Sequence, residues 1–278
     1  MAGVVIPAHN EERVIARTLE HLMVGAVPGD LEVVVVCNGC TDRTAEVARS
    51  VAPWARVLEV PKPSKIEAVR VGNRAGTVFP RVHLDADVSI SGGDVLVLTK
   101  ELREAGLLAV APRRVLVQDR SSRAVRWFYD VWEQLPQVRS GLFGRGVVAL
   151  SEKGQQRVDA LPRLMSDDLG ISEVFEPAER RVVRSAVARV WAPGNLRDLV
   201  RRRLRVATGN AQAGQAGVRR PESSTTMRVL AGLAVSQPRL APRIPLFLVV
   251  GLVARLGSRR AVRAGDFTTW LRDESSRG

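Results

Sequence analysis

The chain has 278 residues, of which 45% are hydrophobic and 26% are charged. This composition argues against global disorder, and the length fits one α/β domain with an elaborated C-terminal part. The formal net charge is +13, from 42 basic and 29 acidic residues, and almost all of the basic residues are arginines. Because arginine matches phosphate oxygens, the charge favours an anionic partner such as nucleic acid, anionic lipid or a phosphate-bearing substrate. A solvated Arg-rich surface explains the charge equally well.

Three features bear on the cellular compartment of the chain. The opening residues have the pattern of a strand and not of a secretory signal. The longest apolar run, from Ile244 to Ala254, contains Pro245 and is followed by Arg255. It falls short of the ~18 residues of a membrane span, so no span is predicted. Cys37 and Cys40 form one C-x-x-C, which favours two small residues at a strand-to-helix turn in a reducing cytoplasm over a zinc or redox site.

Strand and helix patterns alternate along the N-terminal third of the chain. Four segments are predicted to be strands, at residues 3–7, 31–36, 57–60 and 81–84. The β-branched run at 31–36 has the pattern of a buried parallel strand. Three segments between these strands have helical spacing of apolar residues, at about 14–23, 42–51 and 66–75. This alternation predicts an α/β fold with a doubly wound, mostly parallel sheet and right-handed crossovers.

Polar residues follow three of these strands, where ligands bind in open α/β sheets. They are Pro7 to Glu11, Cys37 to Gly39, and Asp85 to Asp87. Asp85 and Asp87 are expected to project to the same side, because strand side chains alternate with a period of two. Such a pair can share a hard cation, Mg²⁺ or Mn²⁺, which bridges carboxylates to the oxygens of a departing diphosphate.

Four segments in this order and spacing resemble family 2 glycosyltransferases of the GT-A fold, over about residues 1–175. They are VVIPAHNEERVIARTL, VVVVCNGCTDRTAEVA, the basic loop from Lys62 to Asn73, and HLDADVSI. The resemblance implies a GT-A type sheet domain at 1–190 and a helical, Arg-rich region at 191–278. It also implies transfer of a hexosyl group from a UDP- or GDP-linked donor to an acceptor hydroxyl, with inversion, assisted by Mg²⁺ or Mn²⁺ at Asp85 and Asp87.

The resemblance also implies which residues bind the nucleotide sugar. The first segment holds the base and ribose in the family, the second strand end lies near the base, and the acidic motif binds the metal. The residues carried over are Pro7, Ala8, His9, Asn10, Glu11, Asn38, Asp85, Ala86 and Asp87. Lys65 either approaches the diphosphate or is a solvated loop lysine. Gly39 departs from the commoner family pattern, which has an acidic residue there, and this puts the base identity in doubt.

Residues Met165 to Ile171 resemble the second acidic motif of the family, in which a carboxylate at a helix start deprotonates the acceptor hydroxyl. Aligning Ile171 with the apolar position that follows the motif makes Asp168 the implied base, with Asp167 beside it. The N–H groups of a helix start stabilise a carboxylate anion there. The alternative is that these residues only cap the helix. A basic segment further along the chain resembles the family segment that lies over the diphosphate, and its residues are Arg201, Arg202 and Arg205. The alternatives are a solvated helix face or a membrane contact.

The remaining expectations concern packing and partners. The aromatic residues from Trp127 to Trp132 favour helix packing over sugar stacking, and His83 favours core packing over metal ligation. Residues Gly141 to Gly146 resemble the loop before the strand that carries acceptor contacts. The stretch from Leu240 to Arg263 is a membrane-interface segment, a packing helix or a dimer contact, and the sequence leaves these three open.

The expected partners are a nucleoside diphosphate sugar and a sugar, lipid-linked or small-molecule acceptor, in the cytoplasm or at the inner face of its membrane. No nucleic acid is expected. The alternative function is an Arg-rich protein that binds RNA or a membrane surface on a catalytically inactive GT-A scaffold, which gives no reason for three polar strand ends to converge. A nicotinamide-binding fold is disfavoured because no G-x-G-x-x-G follows the first strand.

Overall fold

The structure is a computed structural model that describes residues 1–161, 167–215, 225–263 and 275–276. By its internal contacts the chain divides into two compact units. The first unit consists of Met1–Leu116, Gly144–Leu161 and Phe175–Trp191. The second unit consists of Val117–Phe143, Pro162–Val174 and Ala192–Gly278. The division into domains at 1–190 and 191–278 stays a prediction.

Eight strands in the described part of the chain form one sheet, in the order β3-β2-β1-β4-β7-β6-β8-β5. Their bounds are β1 Ala2–Ala8, β2 Leu31–Asn38, β3 Arg56–Val60, β4 Arg81–Leu84, β5 Ser89–Ile90, β6 Ala109–Val117, β7 Val147–Leu150 and β8 Arg180–Trp191. β1, β2, β3 and β4 pair in parallel, whereas β7 runs antiparallel to β4 and β6. The predicted α/β class and the mostly parallel sheet are confirmed.

The helices of the first unit are α1 Ile15–Leu22, α2 Thr44–Val51, α3 Lys65–Ala75, α4 Gly92–Glu104 and α7 Glu152–Asp159. The first three begin and end close to their predicted positions, because apolar residues at helical spacing pack on the sheet. In α1 these are Ile15, Leu19 and Leu22, all fully buried. Gly72 lets α3 approach β1 closely, since a Cβ at that position would lie 2.3 Å from Cγ1 of Val5.

The second unit is helical where it is described. Its elements are α5 Arg123–Trp132, α6 Pro136–Ser140, α8 Asp167–Val174, α9 Leu196–Gln215, α10 Met227–Ser236, a 3-10 helix Pro238–Arg243, and α11 Ile244–Arg263. Aromatic rings of α5 contribute to its core: Phe128 stacks on Phe247 of α11, with 5.0 Å between ring centroids, and Tyr129 packs edge-on against Phe128. Packing is therefore confirmed as the role of Phe128 and Tyr129.

The apolar stretch before and within α11 is longer than the sequence analysis expected. The 23 residues Pro238–Arg260 form one segment that is long and apolar enough to cross a membrane by length and composition. From the sequence, Pro245 is expected to interrupt the run and Arg255 to end it. Pro245 is the second residue of α11, and proline is tolerated in the first turn of a helix because the N–H it lacks has no partner there. Length alone therefore does not exclude a span.

Candidate active site at the carboxyl edge of the sheet

The carboxyl ends of β2, β1 and β4 lie side by side because these strands are neighbours in the sheet. Hydrogen bonds connect the polar residues that follow β1 and β2 with one another and with the start of α3. We call this set of residues, from Pro7 to Glu11 and from Asn38 to Thr44, the ledge. Asn38, at the end of β2, is buried, and its Nδ2 donates to the carbonyl oxygen of Ala8 at 2.8 Å. Its Oδ1 accepts from the backbone N–H of Ser64, before α3, at 3.0 Å. One amide group thus connects the ends of β1 and β2 with the start of α3.

The loop after β1 is bound to the loop after β2. Asn10 has a positive φ of 52°, which asparagine tolerates better than most residues, and its Oδ1 accepts from the N–H of Thr41 at 2.7 Å. The N–H of Glu11 donates to Oγ1 of Thr44 at 2.7 Å. Nδ1 of His9 lies 2.6 Å from the carbonyl oxygen at the end of β2. The predicted nucleotide-binding segment is therefore held in a defined shape by β2 and its turn.

Two free cysteines flank the end of β2: Cys37 is buried within the strand, and Cys40 lies in the turn that follows it. A hydrogen bond between them lowers the pKa of Cys40 and raises the pKa of Cys37, which burial raises further. The Sγ of Cys40 also accepts from the N–H of Asn10 at 3.4 Å. The two cysteines thus lie around a strand-to-helix turn, as the sequence predicts.

The acidic motif forms a turn directly after β4. Asp85 and Asp87 are each partly exposed, whereas Ala86 and Val88 are buried, so the two carboxylates lie on the accessible side of the turn as the sequence predicts. The turn is closed by the N–H of Val88, which donates to the carbonyl oxygen of Asp85 at 3.1 Å. Gly146 accepts from the N–H of Asp85 at 2.8 Å. A Cβ on Gly146 would lie 2.3 Å from Cγ2 of Val88, so only glycine fits beside the turn.

Lys65 is the first residue of α3, and its Nζ lies 2.8 Å from Oδ1 of Asp85. The two side chains are only 23% and 30% exposed, so solvent screens this ion pair incompletely. Lys65 is therefore a partly buried helix residue paired with Asp85, and its approach to a diphosphate stays a prediction. The ion pair places a positive charge beside the acidic pair, where a diphosphate with a divalent cation would require charge neutralisation.

Residues of α1 bind the acidic turn from its other side, and the sequence analysis did not single them out. The Oγ1 of Thr18 is fully buried and lies 2.8 Å from the carbonyl oxygen of Ala86 and 3.0 Å from that of Val88. The guanidinium of Arg17 lies 3.4 Å from the carbonyl oxygen of Asp87 and 3.5 Å from the ring centre of Trp191. Desolvation lowers the pKa of Arg17, while the Asp87 carboxylate acts in the opposite direction. The feature of the sequence that could have indicated this contact is the hydroxyl residue Thr18 on the inward face of the amphipathic helix α1.

The carboxyl edge of the sheet thus carries polar loops and a paired carboxylate turn, as the resemblance to family 2 glycosyltransferases implies. The model for glycosyl transferase family 2 matches residues 3–142, about half of the chain. The chain belongs to glycosyl transferase family 2. The resemblance on which the sequence analysis relied is thereby confirmed.

The matching relatives of this family-2 chain include two mycobacterial proteins. An uncharacterised glycosyltransferase of Mycobacterium tuberculosis strain H37Rv is 36% identical over 118 residues, which are 41% of this chain and 51% of the relative. An uncharacterised glycosyltransferase of Mycobacterium bovis matches with the same identity and coverage. The chain spans about half the length of these curated relatives.

Solved structures with similar folds include a mannosyltransferase and a glucosyl-3-phosphoglycerate synthase. The mannosyltransferase PcManGT from Pyrobaculum calidifontis, in complex with GDP-Man and Mn²⁺, has a TM-score of 0.62 and 20% identity, covering 97% of this chain and 76% of that one. Glucosyl-3-phosphoglycerate synthase from Mycobacterium tuberculosis, in complex with Mn²⁺, UDP-glucose and phosphoglyceric acid, has a TM-score of 0.57 and 20% identity. This match covers 80% of the present chain and 81% of the synthase. At this identity the likeness shows the fold.

The donor set of the acidic turn fits a hard divalent cation. Among the described residues, no three side chains of His, Cys, Asp or Glu lie together as a complete metal cage. Asp85 and Asp87 offer carboxylate oxygens only, and a cation such as Mg²⁺ or Mn²⁺ takes its remaining ligands from phosphate oxygens and water. His83 is directed elsewhere, because its Nε2 lies 3.1 Å from Oδ1 of Asn73. The residues present therefore suit a metal that arrives with a nucleoside diphosphate.

The other site residues predicted for this family-2 chain lie in the second unit. Asp167 and Asp168 form the first turn of α8, as expected for the second acidic motif, although their side chains and Met165 and Ser166 lie outside what the structure describes. The predicted basic segment lies within α9, with Nη1 of Arg201 3.3 Å from Oδ1 of Asp198. Its other two predicted members are partly buried residues of the same helix, Arg202 and Arg205.

Proposed function

We propose that the protein is a nucleotide-sugar-dependent glycosyltransferase that moves a hexosyl group from a UDP- or GDP-linked donor to an acceptor hydroxyl with inversion. The observation that carries this proposal is the partly exposed carboxylate pair of Asp85 and Asp87 next to Lys65, at the carboxyl edge of the sheet. Two proteins of similar fold, named above, were solved with Mn²⁺ and either GDP-Man or UDP-glucose, which supports both a diphosphate donor and a divalent metal.

We assign the binding of the donor to the hydrogen-bonded ledge. The base and ribose would contact the segment from Pro7 to Glu11 and the end of β2 at Asn38. Asp85 and Asp87 would hold the divalent cation, and the backbone of Ala86 between them fixes their spacing. When bound, this cation neutralises negative charge on the departing diphosphate. Lys65 adds a second positive charge that stabilises the same leaving group.

The chemical step requires a base that removes the proton of the acceptor hydroxyl. We propose Asp168, at the start of α8, for this role, with Asp167 beside it. A carboxylate at a helix start is stabilised as an anion, so at neutral pH it is ready to accept the hydroxyl proton as the acceptor oxygen attacks the anomeric carbon. We assign Arg201, Arg202 and Arg205 to the diphosphate or the acceptor, since guanidinium groups donate two parallel hydrogen bonds to anionic oxygens.

The acceptor class is a sugar, a lipid-linked sugar or a small hydroxyl compound. We propose a cytoplasmic location at the inner face of the membrane. Nucleotide binding, which is independent of the acceptor, is the step that a first experiment can isolate.

The test is calorimetric titration with UDP and with GDP, each with and without Mn²⁺. Wild type is expected to bind one nucleotide tightly only when Mn²⁺ is present, and Asp87→Asn should remove the metal-dependent part. Glu104→Gln is the matched control, because Glu104 is an exposed carboxylate on α4 whose loss should leave binding unchanged. Failure of wild type to bind either nucleotide would refute the donor site and favour an anionic-partner protein on an inactive scaffold.

A further inference from the structure

A stripe of large apolar side chains lies exposed along one side of α11. Its members are 37% to 57% exposed: Leu248, Val249, Leu252, Val253 and Leu256. Their spacing of one, three and four residues places them on a single face of the helix. We name this stripe the α11 face. Single exposed apolar residues are ordinary, but five on one helix face form a contiguous patch of the kind that marks an interaction site.

The opposite side of α11 is packed within the second unit, so the helix is fixed in place. Val250, Ala254 and Ser258 are buried at intervals of four residues. Phe247 stacks on the α5 aromatic core. Gly257 lies against α9 so closely that a Cβ there would be 2.5 Å from Cδ1 of Leu204. α11 therefore packs on α5 and α9 through one side, while the α11 face stays exposed on the other side.

The segment that contains the α11 face carries charge of one sign. Residues 225–263 contain seven arginines and no aspartate or glutamate. Three of them, Arg255, Arg259 and Arg260, are exposed within the last turns of α11, and Arg228 and Arg239 are exposed in the preceding helices. Asp130 of α5 pairs with one of the seven arginines, Arg243, at 2.6 Å. An apolar patch beside the exposed arginines of α11 complements a surface that combines acyl chains with anionic head groups.

We propose that the α11 face docks the protein on an anionic lipid bilayer, with α11 lying in the plane of the membrane interface. This proposal rests on the inner-face location given above and identifies the surface responsible. From Leu248 to Leu256 the face extends about 12 Å at 1.5 Å per residue, well short of the ~30 Å hydrocarbon core. Burial of this face at the level of the head groups leaves the arginines next to lipid phosphates.

Two other occupants fit the surface less well. A transmembrane arrangement of α11 would bring α9, which packs against it and carries Arg201, Arg202 and Arg205, into hydrocarbon, where charged side chains are costly. A second copy of the chain would bring two sets of arginines together with no carboxylate in either segment to pair with them. Charge complementarity thus selects the membrane surface.

The test is sedimentation of the purified full chain with vesicles of phosphatidylcholine alone or mixed with phosphatidylglycerol. Wild type is expected to bind the mixed vesicles, with an affinity that falls as NaCl is added. The triple variant Arg255→Gln, Arg259→Gln, Arg260→Gln should bind more weakly by about fivefold for each charge removed. Leu252→Gln with Leu256→Gln should also weaken binding, because it removes buried apolar contact without touching the packed side of α11.

The matched control removes the same charge elsewhere. Arg113, Arg184 and Arg189 are exposed arginines of the first unit, and their triple change to glutamine should leave vesicle binding within about twofold of wild type. An equal loss in this control would show that net charge alone attracts the chain, and would overturn the proposal. Absence of wild-type binding to the mixed vesicles would also overturn it. A stable dimer that Leu252→Gln disrupts would instead indicate a second copy as the occupant, and membrane association that resists a carbonate wash would indicate a transmembrane arrangement; either result would overturn the proposal.

These outcomes are separable from the donor-site proposal. The vesicle variants contain no residue assigned to nucleotide binding, so their calorimetric titration with nucleotide and Mn²⁺ should match wild type. Loss of vesicle binding with intact nucleotide binding supports the docking surface. Intact vesicle binding by a chain that binds no nucleotide would refute only the proposed function.

Discussion

The contact between Thr18 and the acidic turn predicts that Thr18→Val will weaken both the fold and metal binding. Valine has nearly the same shape, but it replaces the hydroxyl 2.8 Å from the carbonyl oxygen of Ala86 and 3.0 Å from that of Val88 with a methyl group. Both carbonyls then lose their α1 partner at a site that is fully buried. A buried acceptor left without its donor costs about 1–3 kcal/mol. Because Thr18 has a single hydroxyl proton for the two carbonyl oxygens, we expect one such cost and not two.

Two assays measure the consequences separately. Urea unfolding should show the free energy of unfolding lowered by about 1–3 kcal/mol. Titration of Mn²⁺ by electron paramagnetic resonance, with saturating nucleotide, should show affinity weakened by roughly tenfold, as is typical when a group that orients metal ligands is lost. Thr18→Ser is the matched control: it keeps the hydroxyl and loses a buried methyl, so stability should fall by about 0.8 kcal/mol while Mn²⁺ affinity is retained. Unchanged Mn²⁺ affinity in Thr18→Val would refute the positioning role, and unchanged stability would refute the hydrogen-bond argument.

Three further predictions follow from the same edge of the sheet and from α8. Lys65→Met should weaken binding of the metal–nucleotide complex by about 10- to 100-fold in calorimetry, because a charged contact is lost, and Lys65→Arg should restore most of it. The lowered pKa of Cys40, about 6, means that its thiolate predominates at pH 7 and is lost as pH falls through that value. Alkylation of Cys40 by iodoacetamide, followed by mass spectrometry, should therefore decline below about pH 6, and a midpoint near pH 8.5 would contradict the geometry. Asp168→Asn should abolish sugar transfer to an acceptor while nucleotide binding stays at the wild-type level, and a fully active variant would exclude it as the base.

The strands and their shared edge were predictable because the pattern responsible is local. β2 is an unbroken β-branched run from Val33 to Val36, and such a run is stable only when buried on both faces. Once four such strands alternate with helices, chain connectivity brings their carboxyl ends together. The juxtaposition of Asn38 with Asp85 at one edge therefore follows from the sequence without any knowledge of side-chain contacts.

Other features depended on contacts between distant residues and could not be predicted. The sequence identifies Thr18 as part of the inward face of α1, but not that it faces the carbonyls of the acidic turn 68 and 70 residues away. The sequence assigns Lys65 to a basic loop, and only the fold shows that it begins α3 and that its ammonium group reaches Asp85. The length of α11 was underestimated for a different reason, since the effect of Pro245 depends on its position within the helix.

The buried amide of Asn38 has a consequence for how this edge of the sheet opens. Its Nδ2 and Oδ1 join the end of β1 to the start of α3, while the next residue, Gly39, donates its N–H to the carbonyl oxygen of Val60 at 2.8 Å. Because these bonds share one short segment, loss of one releases the others, and the edge should open as a cooperative unit. The amide protons of Gly39 and Ser64 are then expected to exchange with deuterium through a common opening event, which a bound nucleotide would suppress for both at once.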